Sequence, residues 1–195
     1  AMSIVMHWGT AGVLAVIVVA GAILAESTPQ DAPIEVRQLP ECVVLYTIHR
    51  GPLDKVGATI GETIAAAAQK GVYPRGTISF MYLNNPATTP REHWLTEIRI
   101  PVAEDALKLA GTLGKFTDIK RLPGVEAVVA VKPEGQATAE PIRQRLYVWM
   151  HENGYMPAEG PSEVFLTNAR AGDYSKMKSE IRMPLLKVAE PKPNR

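Results

Sequence analysis

The sequence contains one cysteine, Cys42, in 195 residues, and it carries no large excess of either charge. A single cysteine cannot form an intrachain disulfide or a cysteine-based metal cluster, so both are excluded. Lysine and arginine number 21 against 20 acidic residues, and no basic stripe with interleaved aromatic residues is present. The charge pattern therefore offers no electrostatic basis for binding nucleic acid.

Metal-binding and phosphate-binding motifs are also missing. The four histidines, His7, His49, His93 and His151, are scattered without the spacing of metal ligands. The glycines fall at turns and helix ends rather than in a phosphate-binding loop, and no nucleophile elbow surrounds a serine or threonine. We therefore predict no cofactor, and the sequence does not support catalysis of the Ser-His-Asp kind.

Residues 8–25 form an apolar run without a charged side chain over 18 positions. As a helix, the run would extend about 27 Å at about 1.5 Å per residue, close to the roughly 30 Å hydrocarbon core of a bilayer. A cleaved signal peptide is the alternative, but no lysine or arginine precedes the run and Ile23 stands where cleavage favours a small residue. The sequence predicts a transmembrane anchor within residues 1–25.

Four positions of this segment carry the expected membrane contacts. Trp8 lies where an interfacial aromatic residue belongs, while Gly12, Ala15 and Gly21 give the helix small faces for packing against another helix. We expect lipid and membrane protein subunits as partners there. Acidic residues follow the segment closely, which favours a domain on the extracytoplasmic side.

An internal repeat organises the rest of the chain. Residues 96–101 (TEIRIP) recur as residues 179–184 (SEIRMP), 83 positions later, and the same offset relates Tyr82 to Phe165. A constant offset without net insertion indicates two copies of one supersecondary unit. Alternating apolar residues and helical spacings of three and four predict the order β-α-β-β in each copy.

The predicted organisation covers the whole chain. It comprises an anchor at 1–25, a linker at 26–33, repeat one at 34–102, a connector at 103–116, repeat two at 117–186 and a proline-containing tail at 187–195. Paired β-α-β-β units predict an α+β fold, in which an antiparallel sheet has helices on one face and a cleft on the other. One transmembrane helix would precede this domain.

Strand parity places two glutamates on the predicted cleft face. The isoleucines of residues 96–101 must face the helices, so Glu97 and its repeat counterpart Glu180 face the cleft. A carboxylate there could attract a cationic ligand, or act as a general base if burial raises its pKa. The alternative is an ion pair with Arg99 or Arg182, which recur at the same offset.

Aromatic side chains are the other candidates for a ligand site. Tyr46, Tyr82, Trp94 and Phe165 lie in or beside predicted strands, where they could form the walls of a pocket by stacking on a ligand. Ordinary packing in the core is the alternative. Tyr82 is the best supported of the four, because an aromatic residue, Phe165, stands at its counterpart position in repeat two.

The two units resemble the GyrI-like effector-binding superfamily. The resemblance covers residues 34–186 and rests on the closing strands TEIRIPV and SEIRMPL and on residues 49–52 (HRGP), which are similar to a His-x-Gly-Pro turn of that family. It implies a cupped pocket with an acidic residue and aromatic walls, which takes amphipathic, often cationic or planar, small molecules. Drug-binding domains of AraC- and MerR-type regulators belong to this superfamily, SOUL proteins are more distant members, and some members are glutamate-dependent hydrolases of strained electrophiles. Residues 132–135 (KPEG) depart from the second such turn.

Two functions of different classes follow from these features. The favoured hypothesis is a membrane-anchored accessory or scaffold subunit of a larger membrane complex, of respiratory or photosynthetic type. The alternative is a membrane-tethered small-molecule binding protein, or a hydrolase that uses Glu97 or Glu180 in the cleft. An enzymatic role is the less favoured of these.

Overall fold

A computed structural model of the protein describes residues 32–166 and 174–188, and the structural statements below refer to these residues. They form nine strands, two α-helices and several short 3-10 turns. The strands are β1 Ile34–Leu39, β2 Cys42–Arg50, β3 Ser79–Tyr82, β4 Leu95–Pro101, β5 Thr117–Leu122, β6 Val125–Lys132, β7 Tyr155–Pro157, β8 Ser162–Phe165 and β9 Ser179–Lys187. The helices are α1 Val56–Ala68 and α2 Glu140–Glu152.

Both helices pack one apolar stripe on the same side of the sheet. The buried stripe of α2 consists of Ile142, Leu146 and Met150, at the spacing of four that places side chains on one helical face. It packs with Ile181 and Met183 of β9, and α1 packs in the same way on β2, β3 and β4. Each helix therefore covers an apolar core of its own, and the core beneath α1 also includes Ile119, Phe165 and Met177 of repeat two.

The strands form one antiparallel sheet in the order β1-β6-β9-β8-β3-β4-β2-β5, with β7 paired to β9. β1 continues into β2, and β5 continues into β6. The β1–β6 and β2–β5 pairings keep a single register that is interrupted only where Pro40 and Pro123 lie, and proline has no N–H for a ladder hydrogen bond. β1 and β5 are the two ends of the strand order, yet both lie in the one long pair that β1–β2 forms with β5–β6. The sheet is therefore curled.

A pseudo-two-fold axis relates the repeats and passes through the middle of the sheet. β3 and β8 pair with Phe80 opposite Glu163, which is the residue 83 positions later in the chain. Equivalent residues of the two repeats therefore meet across this strand pair. Sites that lie on the axis are built from both halves of the protein.

Two ion clusters, each centred on a buried glutamate, link the halves on the sheet face turned away from the helices. Glu97 Oε1 accepts hydrogen bonds from Arg99 Nε at 2.6 Å and from Lys120 Nζ of the other repeat at 2.7 Å. The second cluster repeats the first at the offset of 83. Its carboxylate, Glu180, contacts Arg182 Nη2 at 2.7 Å and Arg37 Nη1 of the first repeat at 2.7 Å.

These contacts set the protonation of the two glutamates. Burial of the Glu97 carboxylate opposes ionisation, but hydrogen bonds from Lys120 and Arg99 outweigh it and hold the pKa below its ordinary value. Burial likewise opposes ionisation of Glu180, and Arg37 and Arg182 likewise leave its pKa lowered. Neither carboxylate has the raised pKa that a general base would need at neutral pH.

The predicted α+β antiparallel sheet is confirmed. Its curl and the short strand β7 were not predicted, because the repeat pattern does not reveal how the two copies exchange strands. No helix among residues 32–166 and 174–188 is long and apolar enough to cross a membrane. The predicted anchor at 1–25, with Trp8, Gly12, Ala15 and Gly21, lies outside the described residues.

The two ion clusters predict a specific loss of stability in acid. Each carboxylate has a folded-state pKa below its ordinary value of 4.5, so its stabilising contribution is present above that pH and is lost as the pH falls through the folded-state pKa. We expect the free energy of unfolding, measured by urea denaturation from about pH 7 to about pH 3, to fall less steeply for a Glu97→Gln/Glu180→Gln variant. A variant at two exposed glutamates, Glu62→Gln/Glu152→Gln, should keep the wild-type slope. Equal slopes for all three proteins would contradict the assignment.

Candidate functional site

A cavity of about 280 Å³ lies on the helix face of the sheet, between the turn before α1 and the start of α2. We call it the helix-side cavity. The residues that line it are Leu53, Asp54, Tyr82, Pro86, Arg91, Trp94, Lys132, Ala137, Thr138, Ala139, Arg143, Glu163, Phe165 and Tyr174. Both repeats contribute to it, and aromatic side chains from β3 and β8 meet in it across the axis.

Four aromatic side chains form much of the cavity wall. Phe165 and Tyr174 have ring centroids 5.0 Å apart in an edge-to-face arrangement, and Phe80 supports both rings from the core. Trp94 donates its indole N–H to the Thr89 carbonyl at 2.8 Å, which fixes the orientation of its ring. Together with Tyr82, these rings offer flat apolar surfaces for a ligand.

A buried carboxylate, Glu163, lies at the base of the cavity. Its Oε2 accepts a hydrogen bond from the Tyr82 hydroxyl at 2.7 Å, and its Oε1 accepts one from the Ser179 hydroxyl at 2.6 Å. The side chain is only 6% exposed. Burial, and next the negative charge of Glu163, raise the pKa of Tyr82 well above its ordinary value, so the hydroxyl stays protonated and donates to the carboxylate.

A buried lysine compensates the charge of this carboxylate. Lys132 Nζ lies 3.6 Å from Glu163 Oε1, and its side chain is 1% exposed. The ammonium also donates to the carbonyls of Met177 at 2.7 Å and Gln136 at 3.1 Å. Opposite charges held this close in a buried site attract strongly, so the base of the cavity carries an ion pair rather than an isolated negative charge.

The other charges at the cavity are paired as well. Arg143 donates from Nε and Nη2 to Glu140 Oε2 at 3.1 and 2.8 Å, while its guanidinium lies 5.2 Å from the centre of the Tyr82 ring. At the rim, Arg91 Nη2 lies 3.5 Å from Asp54 Oδ1. The cavity thus combines aromatic walls with charges that are balanced within the protein.

Lys132 occupies the position that His49 has in the first repeat. The His49 ring contacts the Thr59 hydroxyl at 2.9 Å and the Pro52 carbonyl at 3.2 Å, and so it holds the HRGP turn against α1. Lys132 also bridges to a carbonyl of its own turn, but its ammonium reaches Glu163 too. The departure at residues 132–135 therefore preserves a turn-holding contact and adds a positive charge to the cavity.

Three of the predicted ligand residues meet in the helix-side cavity: Tyr82, Trp94 and Phe165. Tyr46, Glu97 and Glu180 lie on the opposite face of the sheet. Lys120 Nζ lies 4.4 Å from the centre of the Tyr46 ring and also binds Glu97, so Tyr46 adjoins the first ion cluster, while Glu180 belongs to the second. The ion-pair alternative thus describes the contacts that both glutamates make.

Sequence reasoning did not identify any charged residue of the cavity as a site residue, including Glu163, Lys132 and Arg143. A signal for Glu163 was present, because it lies two residues before Phe165 in one strand and side chains two residues apart share a face. No sequence signal indicated the contact between Lys132 and Glu163, since the two residues are 31 positions apart and no periodicity connects them. Among the described residues, no group of three His, Cys, Asp or Glu side chains could hold a metal ion.

Comparisons with known proteins give a similarity to one family over part of the chain, and a fold. Residues 12–103 match the family model of the GyrI-like small molecule binding domain, which is just under half of the chain and begins within the segment predicted as an anchor. No protein with a curated description matches the chain.

The solved structures that it resembles share its architecture at low sequence identity. The crystal structure of the EcmrR C-terminal domain is 17% identical with a TM-score of 0.62, over 80% of this chain and 99% of that domain. In the EcmrR–DNA complex, EcmrR is 17% identical with a TM-score of 0.63, but this chain spans only 58% of the EcmrR chain. A conserved protein from Listeria innocua is 17% identical with a TM-score of 0.57, over 78% of this chain and 92% of that protein. At these identities the likeness establishes the fold, and the matched part of this chain is similar to GyrI-like small-molecule binding domains.

Proposed function

We propose that this protein binds a compact, flat aromatic small molecule in the helix-side cavity. The observation that carries the proposal is the buried Glu163–Lys132 pair beneath a wall of aromatic side chains. A concave site with apolar walls and a few convergent polar groups is the usual form of a ligand pocket. The match to the GyrI-like small molecule binding domain supports the same role.

The ion pair determines which ligands the cavity accepts. A carboxylate alone in an aromatic cup would attract a planar cation, as the family resemblance implies. Here a cationic ligand would meet Lys132 as well as Glu163, so its attraction to the carboxylate is offset by repulsion from the ammonium. We therefore propose that an uncharged planar or amphipathic ligand is preferred, with its polar group near Glu163 or Tyr82.

A matched ligand pair tests this preference. We expect phenanthridine to bind the wild-type protein at least about tenfold more tightly than N-methylphenanthridinium, as measured by calorimetry near neutral pH, because a buried ammonium disfavours a second cation. A Lys132→Met variant should bind the cation more tightly than wild type. A Lys132→Met/Glu163→Gln variant, in which neither buried charge remains, should lose that gain.

The variants also separate misfolding from loss of the site. Removing one partner of a buried ion pair destabilises a protein by about 3–5 kcal/mol, so Lys132→Met must be compared at a temperature where circular dichroism shows it folded. The double variant, which leaves no unpaired charge, is the matched folding control. Equal affinity of wild type for both ligands, or failure of both to bind, would overturn the proposal.

A membrane-bound accessory subunit is the second function that we consider, and it rests on the uncharged sequence of residues 8–25 alone. If this segment anchors the protein, the full chain should sediment with membranes and copurify with other subunits in mild detergent. A variant lacking residues 1–33 should lose both properties. Recovery of the full chain from the soluble fraction, without partners, would remove this function and the extracytoplasmic placement that goes with it.

A further inference from the structure

A second cavity, of about 380 Å³, lies on the face of the sheet turned away from the helices. We call it the inner cavity. It shares no lining residue with the helix-side cavity, although Ser162 and Glu163 are consecutive in β8 and line opposite sides of that strand. Six pairs of its lining residues are related by the offset of 83, among them Leu39 and Leu122, Ser79 and Ser162, and Arg99 and Arg182. It therefore lies on the pseudo-two-fold axis.

Two arginines give this cavity unused donors. The Arg99 side chain is 9% exposed; it donates from Nε to Glu97 and from Nη2 to the Met81 sulfur and to Glu159, while Arg182 donates from Nε and Nη2 to Glu180. In neither guanidinium does Nη1 have a hydrogen-bond partner among the described residues. Since arginine carries five N–H donors and no acceptor, these groups can only be satisfied by water or by an acceptor on a ligand.

The charges beneath the cavity also favour an anion. Each buried glutamate is bound by two cations, Glu97 by Arg99 and Lys120, and Glu180 by Arg182 and Arg37. Each cluster therefore joins two cations to one buried carboxylate. A further carboxylate contacts each cluster, Glu35 at Arg37 and Glu159 at Arg99. Glu159 also lines the inner cavity, but both of these carboxylates are about half exposed, so solvent screens them more strongly than the buried charges.

The rest of the wall is largely apolar and includes Val44, Val125 and Val164. A volume of about 380 Å³ lies within the range of roughly 300–1,000 Å³ typical of small-molecule sites. We propose that the inner cavity is a second ligand site, which binds an amphipathic organic anion. Its carboxylate accepts hydrogen bonds from Arg99 and Arg182, and its apolar body packs against the two leucines and the three valines of the wall.

Two ligands of the same shape test the charge requirement. Naphthalene-2-carboxylate should bind the full chain about tenfold or more tightly than naphthalene-2-carboxamide, because a charge-assisted hydrogen bond is worth roughly twice a neutral one. In an Arg99→Gln/Arg182→Gln variant the two ligands should bind equally, whereas Arg50→Gln/Arg75→Gln, at two exposed arginines that line neither cavity, should leave the carboxylate affinity unchanged. Equal wild-type affinities, or the same loss of carboxylate binding in the Arg50→Gln/Arg75→Gln control, would overturn the proposal.

Cys42 provides a readout that needs no substitution. It is the only cysteine and lines the inner cavity, and burial raises the pKa of its thiol, so alkylation by iodoacetamide should be slow and measurable at alkaline pH. Saturating naphthalene-2-carboxylate should slow alkylation of the wild-type protein several-fold, while phenanthridine should not. An alkylation rate unchanged by the bound carboxylate would place the anion elsewhere and overturn the assignment. Because the two ligands occupy different cavities, failure here leaves the helix-side proposal separately testable.

Discussion

Two buried carboxylates, Glu97 and Glu180, hold the two halves of this fold together. Each is bound by an arginine of its own strand and by a cation from the other repeat, Lys120 in one case and Arg37 in the other. An ionised carboxylate in a buried site is tolerated only when its charge is met, and here neither repeat provides both cations itself. The pairing of β1–β2 with β5–β6, which curls the sheet, therefore also brings the cations that neutralise the two buried glutamates.

The two faces of the sheet differ in how far they obey the two-fold symmetry. On the inner face, arginines, serines and leucines recur in pairs, so the inner cavity has two similar halves. On the helix face the symmetry is broken where it matters chemically. Phe80 opposes Glu163, and His49 is replaced by Lys132, so a single ion pair lies near the axis. The repeat makes the sheet nearly symmetric, and two residues that differ between the repeats, Lys132 and Glu163, place an ion pair on the helix face.

The repeat and the strand parity were enough to predict the antiparallel sheet and its two helices. They did not place the ligand site: Tyr82, Trp94 and Phe165 were chosen as aromatic residues in or beside predicted strands, and the predicted cleft lay on the face away from the helices, whereas all three line the cavity on the helix face. The cross-repeat partners of Glu97 and Glu180 could not be predicted, since a repeat indicates two similar units without revealing which strands pair between them. Lys132 stood out as a departure from a motif, but its contact with Glu163 depends on how β6 and β8 flank β9.

The lysine changes what the helix-side cavity requires of a ligand. A carboxylate buried without a counter-ion carries a desolvation cost that an incoming cation relieves, which makes such a site selective for cations. In this protein Lys132, Tyr82 and Ser179 already satisfy Glu163, so the cavity is complete without a ligand charge. In the function that we propose, binding would then depend on stacking and shape, because the attraction of Glu163 for a cation is offset by repulsion from Lys132.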